Sequence, residues 1–143
     1  MIQKPVPPEV WKWFGNAGHF ICGQWCRFHL CTLVGSYLVS TVGEYVHPRH
    51  GQGSEKTESE WLKANWPGED IGYNRKYETL VFWAGKPCRA EGCGCGLPSI
   101  TGHELDGRGY NSRKVATMGH LALCRKWAKV SAKTKAGARG TRR

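Results

Sequence analysis

Apolar and polar residues alternate most clearly between Cys26 and Val34. There Cys26, Phe28, Leu30 and Thr32 fall on one face of an extended chain, and Arg27, His29, Cys31 and Leu33 on the other. Gly35-Ser36 follows as a two-residue hairpin signal, and residues 37–42, rich in β-branched and aromatic side chains, supply the return strand. Residues 77–83 read as a third strong strand, and His19 to Cys22 as a short apolar one. Helical spacing is rarer. Pro8 suits a first helical turn, Glu9 favours its N-terminal end, and Trp11 and Phe14 lie three apart before Gly15 and Gly18 stop the element. Thr57 and Glu60 have capping-box spacing, which predicts a short helix through Trp61 and Leu62 to about Asn65, ended by Pro67-Gly68. The longest helix is expected from Asn111 to about Lys129, capped by Asn111 or Ser112.

On that last helix a step of about 100° per residue clusters Val115, Met118 and Ala122 on one side, and His120, Cys124 and Trp127 nearly opposite. Residues 47–56 read as a polar surface loop. Residues 85–110 contain seven glycines without sustained periodicity and need some other organiser. The class that results is α+β: a small, mostly antiparallel sheet with a β-hairpin, a Cys/Gly-rich loop and a closing C-terminal helix. Residues 1–130 form one domain, and residues 131–143 a basic tail expected to be disordered.

Composition narrows the function classes. A chain of 143 residues, 40% hydrophobic and with seven Trp, is one domain with a real core. It has no apolar run of about 18 residues, so no membrane helix is expected. The Pro-rich opening residues 1–8 lack the apolar centre of a secretory signal. Seven cysteines, an odd number, fit a reduced compartment with thiols free or on metal better than a disulfide framework.

The charge is concentrated at one end. Of the net +10, much sits in residues 125–143, where Arg125, Lys126, Lys129, Lys133, Lys135, Arg139, Arg142 and Arg143 occur without a single acid. Such a segment neutralises phosphates by counterion release, which gives sequence-blind, salt-sensitive affinity for nucleic acid. A solubilising terminus is the plain alternative. The seven Trp share no spacing, which favours packing over a base-stacking platform.

The densest chemistry lies between residues 88 and 124. Cys88, Cys93 and Cys95 place three thiols within eight residues, with glycines flanking the last two. His120 and Cys124 then stand at i and i+4 on one helical face. A thiolate knuckle plus His-x3-Cys gives four N/S ligands for tetrahedral zinc and explains how a poorly periodic loop is held. This reading expects the loop to fold over the His120/Cys124 face with the metal between them; buried thiols and a hydrogen-bonded core histidine are the alternative. A second spacing, His19, Cys22, Cys26 and His29, offers a further zinc site, although Cys26 and His29 point to opposite faces of a regular strand. Catalytic readings are thinner. Glu44, Asp70 and Glu78 are carboxylates suited to Mg²⁺-dependent phosphodiester cleavage or to ordinary solvation, and Cys22 or Cys31 with His19 or His29 suits a Cys–His nucleophile.

Several of these stretches share a further pattern. His19 to Cys22, Cys26 to Leu30, Val34 to Tyr45, Ile71 to Thr79, Cys93 to Pro98, Gly109 to Asn111 and Gly119 to Cys124 resemble small uncharacterised accessory proteins encoded by tailed bacteriophages and prophages. The likeness covers roughly residues 14–129. It implies a phage origin, action in the bacterial host cytoplasm, and a part in host takeover or counter-defence. The expectation is thus a zinc-stabilised module, with one zinc or two, that binds nucleic acid or a host protein with an acidic surface. The alternatives are a metal-dependent nuclease and a purely protein-binding inhibitor of a host defence protein.

Overall fold

The structure is a computed structural model and describes residues 6–15, 26–45, 71 and 74–141, with backbone alone for residue 101 and residues 131–141. The strand expected at 19–22, the polar loop at 47–56 and the helix expected at 57–65 lie outside the described residues.

Among the described residues, five strands form one antiparallel sheet in sequential order: β1 (Lys12–Phe14), β2 (Cys26–Val34), β3 (Tyr37–Tyr45), β4 (Tyr77–Pro87) and β5 (Pro98–Tyr110). One long helix, α1 (Arg113–Thr141), follows them. The fold class is therefore α+β, as the pattern predicts. The β2–β3 hairpin pairs Val34 with Tyr37, and Gly35 takes φ +62°, the left-handed value that the first position of a primed two-residue turn needs.

Three elements differ from expectation. Pro8–Val10 is a single 3-10 turn, and Lys12–Phe14 continues as an edge strand against β2 rather than as helix. Residues 98–110, read as loop, form β5; Gly102, Gly107 and Gly109 dilute its alternation, but the ladder with β4 holds it through two irregularities. Helix α1 starts as expected, with Ser112 Oγ accepting from the Val115 N–H (3.2 Å), but continues past Lys129 to Thr141 through Ala-, Lys- and Arg-rich residues. Those residue types have good helix propensity.

The two sheet faces carry different cargo. One packs Val34, Tyr37, Val39 and Val81 against Leu123, Cys124 and Ala128 of α1, with Tyr37 between the rings of Trp83 (4.7 Å) and Trp127 (4.8 Å). The opposite face packs Cys31 and Leu38 with Leu97, and Cys95 and Ile100 lie against them. The helix and the Cys-rich loop therefore sit on opposite sides of the sheet. Asp106 ties β5 to α1 by accepting from Lys126 Nζ (2.7 Å) and Trp127 Nε1 (2.9 Å).

Candidate functional site

Cys88, Cys93 and Cys95 occupy the connection between β4 and β5. The strands end on the Pro87–Pro98 pair, and the Cys88 N–H donates to the Leu97 carbonyl (2.7 Å), which pins the neck of the loop. The Cys93 N–H donates to Ala90 O (3.1 Å), and Gly92, Gly94 and Gly96 all take positive φ, from +68° to +79°. A side chain at those three positions would meet no neighbour but would strain the backbone, so glycine is required there by conformation and not by space. The result brings the three Sγ atoms within 4.8 Å of one another, all half-buried.

Tetrahedral zinc with Zn–S of about 2.3 Å needs sulfur atoms about 3.8 Å apart, so closing on an ion asks for a contraction of about 1 Å at most. The residues fit a metal. No other group of three His, Cys, Asp or Glu side chains meets the same geometry among the described residues. The thiols are also graded. The Leu97 backbone N–H bonds the Cys95 sulfur and lowers its pKa against the effect of burial, and the thiols of Cys93 and Cys88 lower it further. At Cys93 the Cys95 backbone N–H pulls the other way, but hydrogen bonding to the Cys95 thiolate, burial and Cys88 together raise its pKa. Cys95 therefore favours its thiolate, the form that binds a metal, more than Cys93 does.

His120 and Cys124 do not join this trio, and the expectation that the loop folds over them is corrected. The face of α1 that carries them is the one that packs on the sheet. His120 is fully buried, with Nε2 against Thr32 Oγ1 (2.8 Å) and Nδ1 against Thr41 Oγ1 (2.6 Å), and Thr41 continues to Thr79 (2.6 Å). Both ring nitrogens are in use, and burial pushes the imidazole pKa down to about 4. Cys124 and Cys31 are buried thiols pushed up to about 12, Cys124 by burial and Cys31 by burial and then by Cys124, so both are inert. Cys31 is therefore no nucleophile. The Thr32–His120–Thr41–Thr79 chain went unread in the sequence; its one signal was threonine at an inward position on each of three neighbouring strands.

Of the second spacing, His19 and Cys22 lie outside the described residues. Cys26 and His29 occupy opposite faces of β2 and do not converge; Cys26 is buried at 8% exposure, and His29 Nδ1 is buried without a hydrogen-bond partner among the described residues.

Glu44 is not available as a metal ligand. It is fully buried at φ +58°, accepts hydrogen bonds from Tyr77 Oη (2.7 Å) and from Nε and Nη2 of Arg113 (Nη2 at 2.6 Å), and faces Arg27 at 3.8 Å. Burial raises its pKa, but these hydrogen bonds and charges outweigh it and hold the carboxyl below its ordinary value. Gly43 makes room for this arrangement, because a Cβ there would lie 2.1 Å from the Tyr77 ring. Glu78, raised by burial and by Glu104, pairs with Val42 on the face opposite α1. Asp70 lies outside the described residues.

The basic residues divide similarly. Arg125, Lys126 and Lys129 are exposed on α1 and, with Pro7, Pro8 and Trp11, line a groove of about 570 Å³. Lys133, Lys135 and Arg139 fall on helical backbone, and Arg142 and Arg143 lie outside the described residues. No helix among the described residues is long and apolar enough to cross a membrane. Comparison with protein-family models, with curated proteins and with solved structures finds no match to this chain.

Proposed function

We propose that this chain is a zinc-stabilised binding module that engages nucleic acid through its C-terminal helix. The observation that carries the binding is α1 itself: 29 residues with eight Lys or Arg and no acid. Arg113 and Lys126 are engaged by Glu44 and Asp106, while Arg125 and Lys129 are exposed cations that could meet phosphates. Cys88, Cys93 and Cys95 would hold the zinc, which locks the β4–β5 loop where few apolar residues can do so. In keeping with the phage-like sequence pattern, the module would act in a bacterial cytoplasm during host takeover or counter-defence.

A gel-shift assay on supercoiled and linear DNA, with and without Mg²⁺ or Mn²⁺, tests the reading. A shift without cleavage supports it. Conversion of supercoiled DNA to nicked or linear forms would instead establish a nuclease, and the absence of any shift at low salt would leave the inhibitor reading.

A further inference from the structure

A second groove, of about 560 Å³, runs between α1 and edge strand β5. Its helix wall presents Val115 and Met118, 50% and 60% exposed, followed by Leu121 and Ala122. Val115, Met118 and Ala122 are the residues that helical periodicity places opposite His120 and Cys124. Once the sheet covers the latter face, the apolar stripe is left facing outward. Exposed apolar side chains are ordinary singly, but a run of them one and two turns apart along a groove is a docking feature.

The rim decides the occupant. Arg108 from β5 and Arg125 from α1 are both exposed and flank the apolar floor, and among the described residues no carboxylate lines the groove. A second copy of a chain with net charge +10 would bring cations onto cations. Nucleic acid would satisfy the arginines but would leave Val115 and Met118 without a partner, since phosphates and sugars offer little apolar surface. We infer that this groove binds an acidic amphipathic segment of another protein, whose apolar side chains seat on Val115 and Met118 while its carboxylates reach Arg108 and Arg125. Helix-in-groove recognition works in this way, with apolar anchors for affinity and charge for register. The inference shares Arg125 with the nucleic-acid reading but is anchored on Val115 and Met118, which carry no charge.

The probe is a fluorescein-labelled amphipathic helical peptide with Leu on one face and Glu on the other. It is compared with one peptide in which Lys replaces Glu and another in which Ser replaces Leu. The full-length protein should bind the Leu/Glu peptide and neither control. Met118→Asp and Arg108→Glu should each weaken binding by about tenfold or more, as loss of an anchor or a charge partner does. Because Met118 and Arg108 are exposed, circular dichroism should confirm unchanged folding. Three results would overturn the inference: peptide binding indifferent to Met118→Asp, equal binding of the Lys peptide, or a concentration-dependent dimer in sedimentation that Met118→Asp abolishes. A Met118→Asp protein that still shifts DNA separates this site from the basic surface.

Discussion

Burial keeps the His120 imidazole neutral until about pH 4, whereas in the unfolded chain it takes up a proton near the ordinary histidine value of about 6.5. Because the folded-state pKa is depressed, the stability this group supports is complete above the unfolded value and is lost as pH falls from there toward about 4. At about 1.4 kcal/mol per unit the loss amounts to roughly 3 kcal/mol. Urea unfolding across that window should show the fall, and His120→Gln should flatten it while costing about 1–3 kcal/mol at neutral pH, because Thr32 and Thr41 lose their shared partner. Glu44 acts in the same direction at more acid pH, since its carboxyl is also depressed and its contribution vanishes only on protonation in the folded state. Glu44→Gln should cost about 1–3 kcal/mol in the same assay. It should leave any DNA shift, and any Mg²⁺-dependent cleavage, unchanged, whereas loss of a nuclease's metal ligand would abolish cleavage. Without the sheet, neither role could be assigned: a His and a Cys four apart look alike whether they face a metal or three threonines.

The β4–β5 loop is the element on which the proposed metal would depend, and it lies on the other side of the sheet from the helix. Replacing Cys95 by Ser should abolish metal retention and raise amide exchange across residues 88–97. Cys124→Ser should retain the metal, because its thiol lies on the other face of the sheet. The hairpin β2–β3 was legible because strict alternation and Gly35-Ser36 act locally. Strand β5 was not, since its glycines carry no pattern and its pairing with β4 is a tertiary fact. The thiol trio was legible from Cys93 and Cys95 flanked by glycine. Its partners were misassigned because helical spacing shows which residues share a face, not which face the sheet takes. Val115 and Met118 show the same limit: the stripe is real, but it faces outward.

At the scale of the whole molecule, the proposal assigns binding to the charge and loop order to the metal. Deleting residues 131–143 removes five cations. If all five sit on duplex phosphates, the slope of log K against log salt should flatten by up to about 4.5 units, at roughly 0.9 per phosphate. An unchanged slope would place the affinity on Arg125 and Lys129 and leave the terminus a bystander. The central claim, however, is that Cys88, Cys93 and Cys95 hold an ion that organises the loop. Native mass spectrometry of reduced protein, purified without added metal, measures it directly. The expected spectrum shows one zinc per chain in the parent and in Cys124→Ser, and none in Cys95→Ser. Metal-free parent protein, or a zinc lost from Cys124→Ser and kept in Cys95→Ser, would contradict the account.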